Sequence, residues 1–124
     1  MAALGQCSQE ELREKIEEQQ DFVLVDALAP ISYAATHLPG AISIPPGTVD
    51  ERAAKKIPDR DTEVVVYCTS PTCEASIAVA QRMIELGYSN VRHYPGGKQE
   101  WMEAGLPLEG GRAQPAVTGE TTTP

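Results

Sequence analysis

The chain has 124 residues, enough for one domain with a single core and too few for two. Its residues are 41% hydrophobic and 23% charged, the balance of an ordinary globular protein, and no apolar run approaches the roughly 20 residues that cross a bilayer. A formal net charge of −8, with ten scattered Lys and Arg, excludes a basic surface for nucleic acid or anionic membrane.

Ser8 and Glu11 form a capping box that opens a helix over 9–19, with Leu12 and Ile16 on one face. DFVLVDA (21–27) reads as a short strand covered on both faces, because it is nearly continuous in apolar residues. Pro30 ends it, and a helical turn follows over 31–35. AISIP (41–45) is a brief strand. Thr48 with Glu51 makes a second capping box, starting a short helix that Pro58 stops.

EVVVYC (63–68) is the strongest strand signal in the chain. From Glu74 to Leu86 the positions Ile77, Ala80, Met83 and Ile84 keep a 3.6-residue period, and Gly87 suits the position just past a helix end. NVRHY (90–94) is the last strand, and Gly96-Gly97 lead into a short helix containing Trp101. Short strands alternating with helices predict an α/β fold, a mainly parallel central sheet of about five short strands with helices on both faces. The domain is expected over 1–110. The Gly-, Thr- and Pro-rich segment 111–124 is expected to be a disordered tail.

The N-terminus lacks a basic stretch followed by an apolar one, so no signal peptide is expected and the expected address is cytoplasmic. Three cysteines in such a compartment argue against a disulfide scaffold and make reactive or metal-bound thiols the question. Cys68 stands where a strand ends and a helix begins, the edge at which parallel sheets bind ligands. Backbone N–H groups of Thr69, Ser70, Thr72 and Cys73 in the connecting loop can converge on an anion, and the helix dipole adds to their pull. A thiol there has a depressed pKa and suits nucleophilic chemistry. Burial as a small core residue fits the same position, and position alone leaves the two readings open.

The chain resembles the single-domain rhodaneses, a sulfurtransferase family, over residues 8–108. FVLVDA is similar to the family's first core strand and YAATHLPGAISIP (33–45) to its first signature, with His37, Pro39, Gly40 and Ala41 in place. VVVYC resembles the strand that delivers the active-site cysteine. ELGYSNVRHYPGGKQEWMEAGLPLE (85–109) resembles the closing signature through Gly87-Tyr88, Asn90-Val91, Gly96-Gly97 and Trp101. The resemblance implies that Cys68 takes sulfane sulfur from a polysulfide, persulfide or thiosulfate and holds it as a persulfide. It then passes the sulfur to cyanide or a thiol. It implies substrate contacts along Thr69, Ser70, Pro71, Thr72 and Cys73, and neither metal nor organic cofactor. The expected partners are the small-molecule donor and acceptor, or a protein persulfide, with no nucleic acid or membrane.

Several positions depart from the family pattern. Pro71 stands where rhodanese loops carry glycine, Cys73 and Leu28 where arginines are frequent, and Glu74 adds a negative charge beside the loop. Thiosulfate, a dianion, is therefore expected to be a poor donor unless a cation such as Arg82 or Lys98 reaches the site. Glu74 also occupies the position at which phosphatases of this scaffold carry their phosphate-gripping arginine, which argues against phosphatase chemistry. Cys73 is either a resolving thiol for a Cys68 persulfide or a small residue closing the loop.

A zinc site from Cys68, Cys73, His37 and His93 lacks a second tight ligand pair. His37 is expected to be structural, Trp101 core, and Cys7 exposed and incidental. Asp26 is expected to accept hydrogen bonds that position a loop, or to cap a helix. Two other classes stay open beside the sulfurtransferase: a non-catalytic binding module of the same fold, and a thiol redox protein using Cys68 and Cys73.

Overall fold

The structure is a computed structural model and describes residues 5–69 and 74–111. Five strands, β1 (Gly5–Gln6), β2 (Val23–Asp26), β3 (Ile42–Ser43), β4 (Val64–Tyr67) and β5 (Val91–Tyr94), form one parallel sheet in the order β1-β5-β4-β2-β3. Helices α1 (Gln9–Glu17), α2 (Pro30–Ala35), α3 (Val49–Lys56) and α4 (Ala75–Glu85) connect successive strands, and α5 (Gly97–Glu103) follows β5. Among the described residues no helix is long and apolar enough to cross a membrane.

Alternation along the strands builds two cores. Val25, Val64, Val66 and Val91 pack against Val49 and Ala53 of α3 and Val79, Ala80 and Met83 of α4. Leu24, Val65, Tyr67 and Tyr94 pack on the other face with Leu12 of α1, Leu38 and Trp101 of α5. All four β4 residues are buried, which is why this strand reads as a continuous apolar run. Trp101 is buried, meets Tyr94 edge-on and donates its indole N–H to the Pro107 carbonyl at 2.8 Å.

Two expectations fail. Thr48 precedes α3 but makes no capping box: its hydroxyl donates to the Pro45 carbonyl at 2.7 Å, because the Pro45–Gly47 turn aims it backwards. Cys7 is not exposed. Gly5–Gln6 pairs with β5, the Cys7 N–H donates to the His93 carbonyl at 2.9 Å, and the thiol is fully buried beside Leu12, its pKa raised chiefly by that burial. The capping box at Ser8 and Glu11 forms as the residues dictate, and Glu11 also pairs with Arg92 of β5.

Candidate active site at the end of strand β4

Cys68 follows the last residue of β4 at the carboxyl edge of the sheet, and it is buried. Two neighbouring strands fix that edge. Tyr67 is in register with Asp26 of β2 and Tyr94 of β5, and the Ala27 N–H donates to the Tyr67 carbonyl at 3.0 Å. From the other side the start of α5 clamps the outgoing chain. The Lys98 N–H donates to the Cys68 carbonyl at 2.9 Å and the Gln99 N–H to the Thr69 carbonyl at 2.7 Å.

Gly97 makes this approach possible. Its φ is +67°, and a Cβ there would lie 2.6 Å from the Cys68 carbonyl oxygen and 2.8 Å from the Thr69 carbonyl. Gly96 has ordinary helical backbone, so of the two glycines only Gly97 has a left-handed backbone.

Asp26 is fully buried at the end of β2. One carboxylate oxygen accepts the Leu28 N–H at 2.8 Å, shaping the turn into α2, and the other accepts the Tyr67 O–H at 2.6 Å. The Tyr67 oxygen accepts the Leu38 N–H at 3.0 Å in turn, so one buried chain of polar groups ties β2, β4 and the segment after α2 together. Burial raises the Asp26 pKa. The bonds from Tyr67 and Leu28 oppose that rise, as do the charges of Lys98 and His37. The Tyr67 hydroxyl titrates far above its ordinary range, first through burial and then through the neighbouring Asp26 charge.

The two cations considered from sequence separate. Arg82 on α4 is held by Asp50 at 2.6 Å and by Glu85 at 2.9 Å, on an exposed face. Lys98 is only 7% exposed and donates its ammonium to the Ser32 carbonyl of α2 at 3.3 Å. Burial lowers its pKa and the Asp26 charge opposes that fall. The sequence had no signal for a buried lysine here, since Lys98 stands in a short helix among Gln99 and Glu100.

His93 on β5 and Ser76 in the first turn of α4 form a second buried pair, Oγ to Nε2 2.8 Å, and burial lowers the histidine pKa. Pattern reading placed Ile77 on the inner face of α4 and did not mark Ser76. His37 stacks on Tyr33 at 4.0 Å, contacts the Tyr33 carbonyl through Nδ1 and approaches Glu109 at 3.6 Å, which pins the end of α2 to the chain after α5.

Glu74 is exposed and sits at the N-cap of α4 without a side-chain capping bond. Thr69 is exposed beside Cys68. The remaining loop positions, Ser70, Pro71, Thr72 and Cys73, lie outside the described residues. Cys68 is disulfide-bonded in the structure, so thiol chemistry at this position begins from its reduced form.

A family model described as a Rhodanese-like domain matches residues 8–104. The chain belongs to the rhodanese-like family. It is 29% identical to a sulfurtransferase of Allochromatium vinosum over 85% of this chain and 94% of that protein. It is 35% identical to the thiosulfate sulfurtransferase PspE of Escherichia coli over 60% of this chain and 69% of that one. The rhodanese-like chain is also similar to an HTH-type transcriptional regulator of Mycobacterium tuberculosis, of which it spans 40%. Among solved structures, the BH2092 protein of Bacillus halodurans superposes with a TM-score of 0.82, covering 93% of this chain and 85% of that one at 23% identity, which speaks for the fold.

Proposed function

We propose that this protein is a sulfurtransferase that carries sulfane sulfur on Cys68. The observation that carries the reading is the position of Cys68. It is the first residue past a central parallel strand, with its carbonyl and that of Thr69 held by the α5 amides. Membership of a family with named sulfurtransferases supports the chemistry.

In the first step the Cys68 thiolate attacks the outer sulfur of a donor persulfide. A sulfur–sulfur bond to Cys68 forms, the donor's sulfur–sulfur bond breaks, and its thiolate leaves. In the second step cyanide or a thiolate attacks the outer sulfur of the Cys68 persulfide, and Cys68 departs as thiolate. The transferred atom lies about 2 Å beyond Sγ.

Persulfides and polysulfides are the preferred donors over thiosulfate. Arg82 is already satisfied by two carboxylates and Lys98 is buried, which leaves neither as an exposed grip for a dianion. The chain's charge of −8 acts in the same direction.

The test is intact-protein mass spectrometry of the reduced chain after separate exposure to thiosulfate, polysulfide and glutathione persulfide, followed by cyanide. The expected result is one added sulfur on Cys68, removed by cyanide, absent in Cys68→Ser and formed most readily from the persulfide. A folded wild-type protein that no donor loads would overturn the reading and leave a binding module of the same fold.

A further inference from the structure

Lys98 is unusual in three respects that no family signature explains. It is a lysine in a helix turn, it is more than nine-tenths buried, and its own N–H is bonded to the Cys68 carbonyl. Lysines are almost never buried without a counter-charge. The charge that acts on it is Asp26, itself fully buried at the end of β2, and the ammonium reaches the Ser32 carbonyl on α2. Lys98 therefore joins three segments that meet at the carboxyl edge: the end of β2, the start of α2 and the exit of β4.

We propose that Lys98 is the built-in cation of the Cys68 site, a positioning residue that offsets the charge of Asp26 at the neighbouring strand end and so lets Cys68 carry negative charge as thiolate and as persulfide. The inference deepens the sulfur-transfer reading and rests on it for its purpose, but the charge effect is measurable without any sulfur transfer. Without Lys98 the Asp26 carboxylate is a buried anion near a second forming anion, and like charges in a low-dielectric setting disfavour each other. The arrangement accounts for the missing loop arginines. The positive charge comes from α5, whose Lys98 amide meets the Cys68 carbonyl, rather than from the segment that follows Cys68. A cation so placed favours the anionic sulfur of the protein without offering an exposed grip to a dianionic donor.

The groups around the pair are few. Asp26 comes from β2, with Tyr33 of α2, Tyr67 of β4 and His37 also acting on or hydrogen-bonded to it. From β5, Tyr94 donates its O–H to Glu100 of α5 at 2.7 Å, and His93 is bonded to Ser76 of α4. Glu74 stands exposed at the start of α4. Lys98 is the one lysine or arginine among them.

The experiment is the pH dependence of Cys68 alkylation by iodoacetamide in the reduced full chain, read by peptide mass spectrometry so that Cys7 and Cys73 are scored separately. Lys98→Met is expected to slow alkylation at neutral pH about tenfold by moving the midpoint up about one unit. Asp26→Asn, which removes the negative charge, is expected to move the midpoint down. The double variant is expected to return close to wild type. Structural damage would push both single variants the same way, whereas a charge effect pushes them apart. Circular dichroism confirms that each variant is folded, and Lys98→Arg stands in should Lys98→Met fail to fold, with a midpoint expected near wild type. Unchanged midpoints, or shifts of one sign in both single variants, would overturn the assignment. Wild-type loading by thiosulfate, polysulfide and glutathione persulfide is recorded alongside: the absence of loading by all three refutes the sulfur-transfer reading whatever the midpoints do.

Discussion

Gly97→Ala isolates the contact that holds the exit of β4. The new methyl would sit 2.6 Å from the Cys68 carbonyl oxygen and 2.8 Å from the Thr69 carbonyl, and both neighbours are backbone that cannot rotate aside. Left-handed backbone costs alanine about 1–2 kcal/mol, and forcing an atom into a filled space costs about 1–3 more. The stiffer unfolded chain offsets about 0.4–1 kcal/mol of this, leaving a net loss of about 3 kcal/mol. Gly87→Ala is the internal control. Its φ is +99° but nothing lies within 4 Å of the new Cβ, so only the conformational part remains, about 1 kcal/mol. Urea unfolding followed by the fluorescence of the buried Trp101, the only tryptophan, measures both. Sulfur loading of Cys68 is expected to fall in Gly97→Ala and to persist in Gly87→Ala. Equal stability losses in the two variants would refute the close approach of α5 to the Cys68 carbonyl.

The two helix starts should respond differently to truncation. Ser8→Ala removes a formed capping box and is expected to cost about 1 kcal/mol in urea unfolding, whereas Glu51→Ala, at the box that does not form, should change stability by less than about 0.5 kcal/mol. His93 is held neutral by burial, its pKa below the unfolded value of about 6.5, so its share of stability is full above that pH and lost as pH falls below it. The urea midpoint of the wild type should therefore drop between about pH 7.5 and about pH 5.5, and His93→Gln should flatten that drop; an unchanged slope would show that other groups cause it.

The sequence carried most of the fold because the signals were local. The four longer helices and strands around Cys68 announce themselves through apolar runs, a Pro at the start of α2 and Gly87 past α4, whose φ is +99°. What stayed hidden depends on partners far along the chain. Gly5–Gln6 has no apolar residue to mark it, and becomes a strand only because β5 offers a free edge; Cys7 is then drawn into the core with it. Thr48 and Glu51 have the spacing of a capping box, but the preceding turn sets the hydroxyl on the Pro45 carbonyl instead. Lys98 looks like a surface residue of a polar helix turn, and its burial follows from Gly97 bringing that turn against Cys68. A local pattern cannot register any of these, since each is decided by which backbone lies opposite.

The same distinction bears on how the site tolerates its unusual loop. Besides the Cys68 disulfide, four bonds fix the two ends of the site among the described residues through main chain or the buried Asp26: Ala27 N–H to the Tyr67 carbonyl, Leu28 N–H to Asp26, Lys98 N–H to the Cys68 carbonyl and Gln99 N–H to the Thr69 carbonyl. None of these four involves a side chain between Ser70 and Cys73. A substitution in that loop is therefore expected to leave these four bonds in place. The departures from the family pattern at Pro71 and Cys73 are on this account expected to change donor preference at constant scaffold. Gly97 and Asp26 have no such freedom, because each acts on the backbone that places Cys68. Loop substitutions should accordingly alter the ranking of donors with little loss of stability, whereas changes at Gly97 should lower stability and loading together.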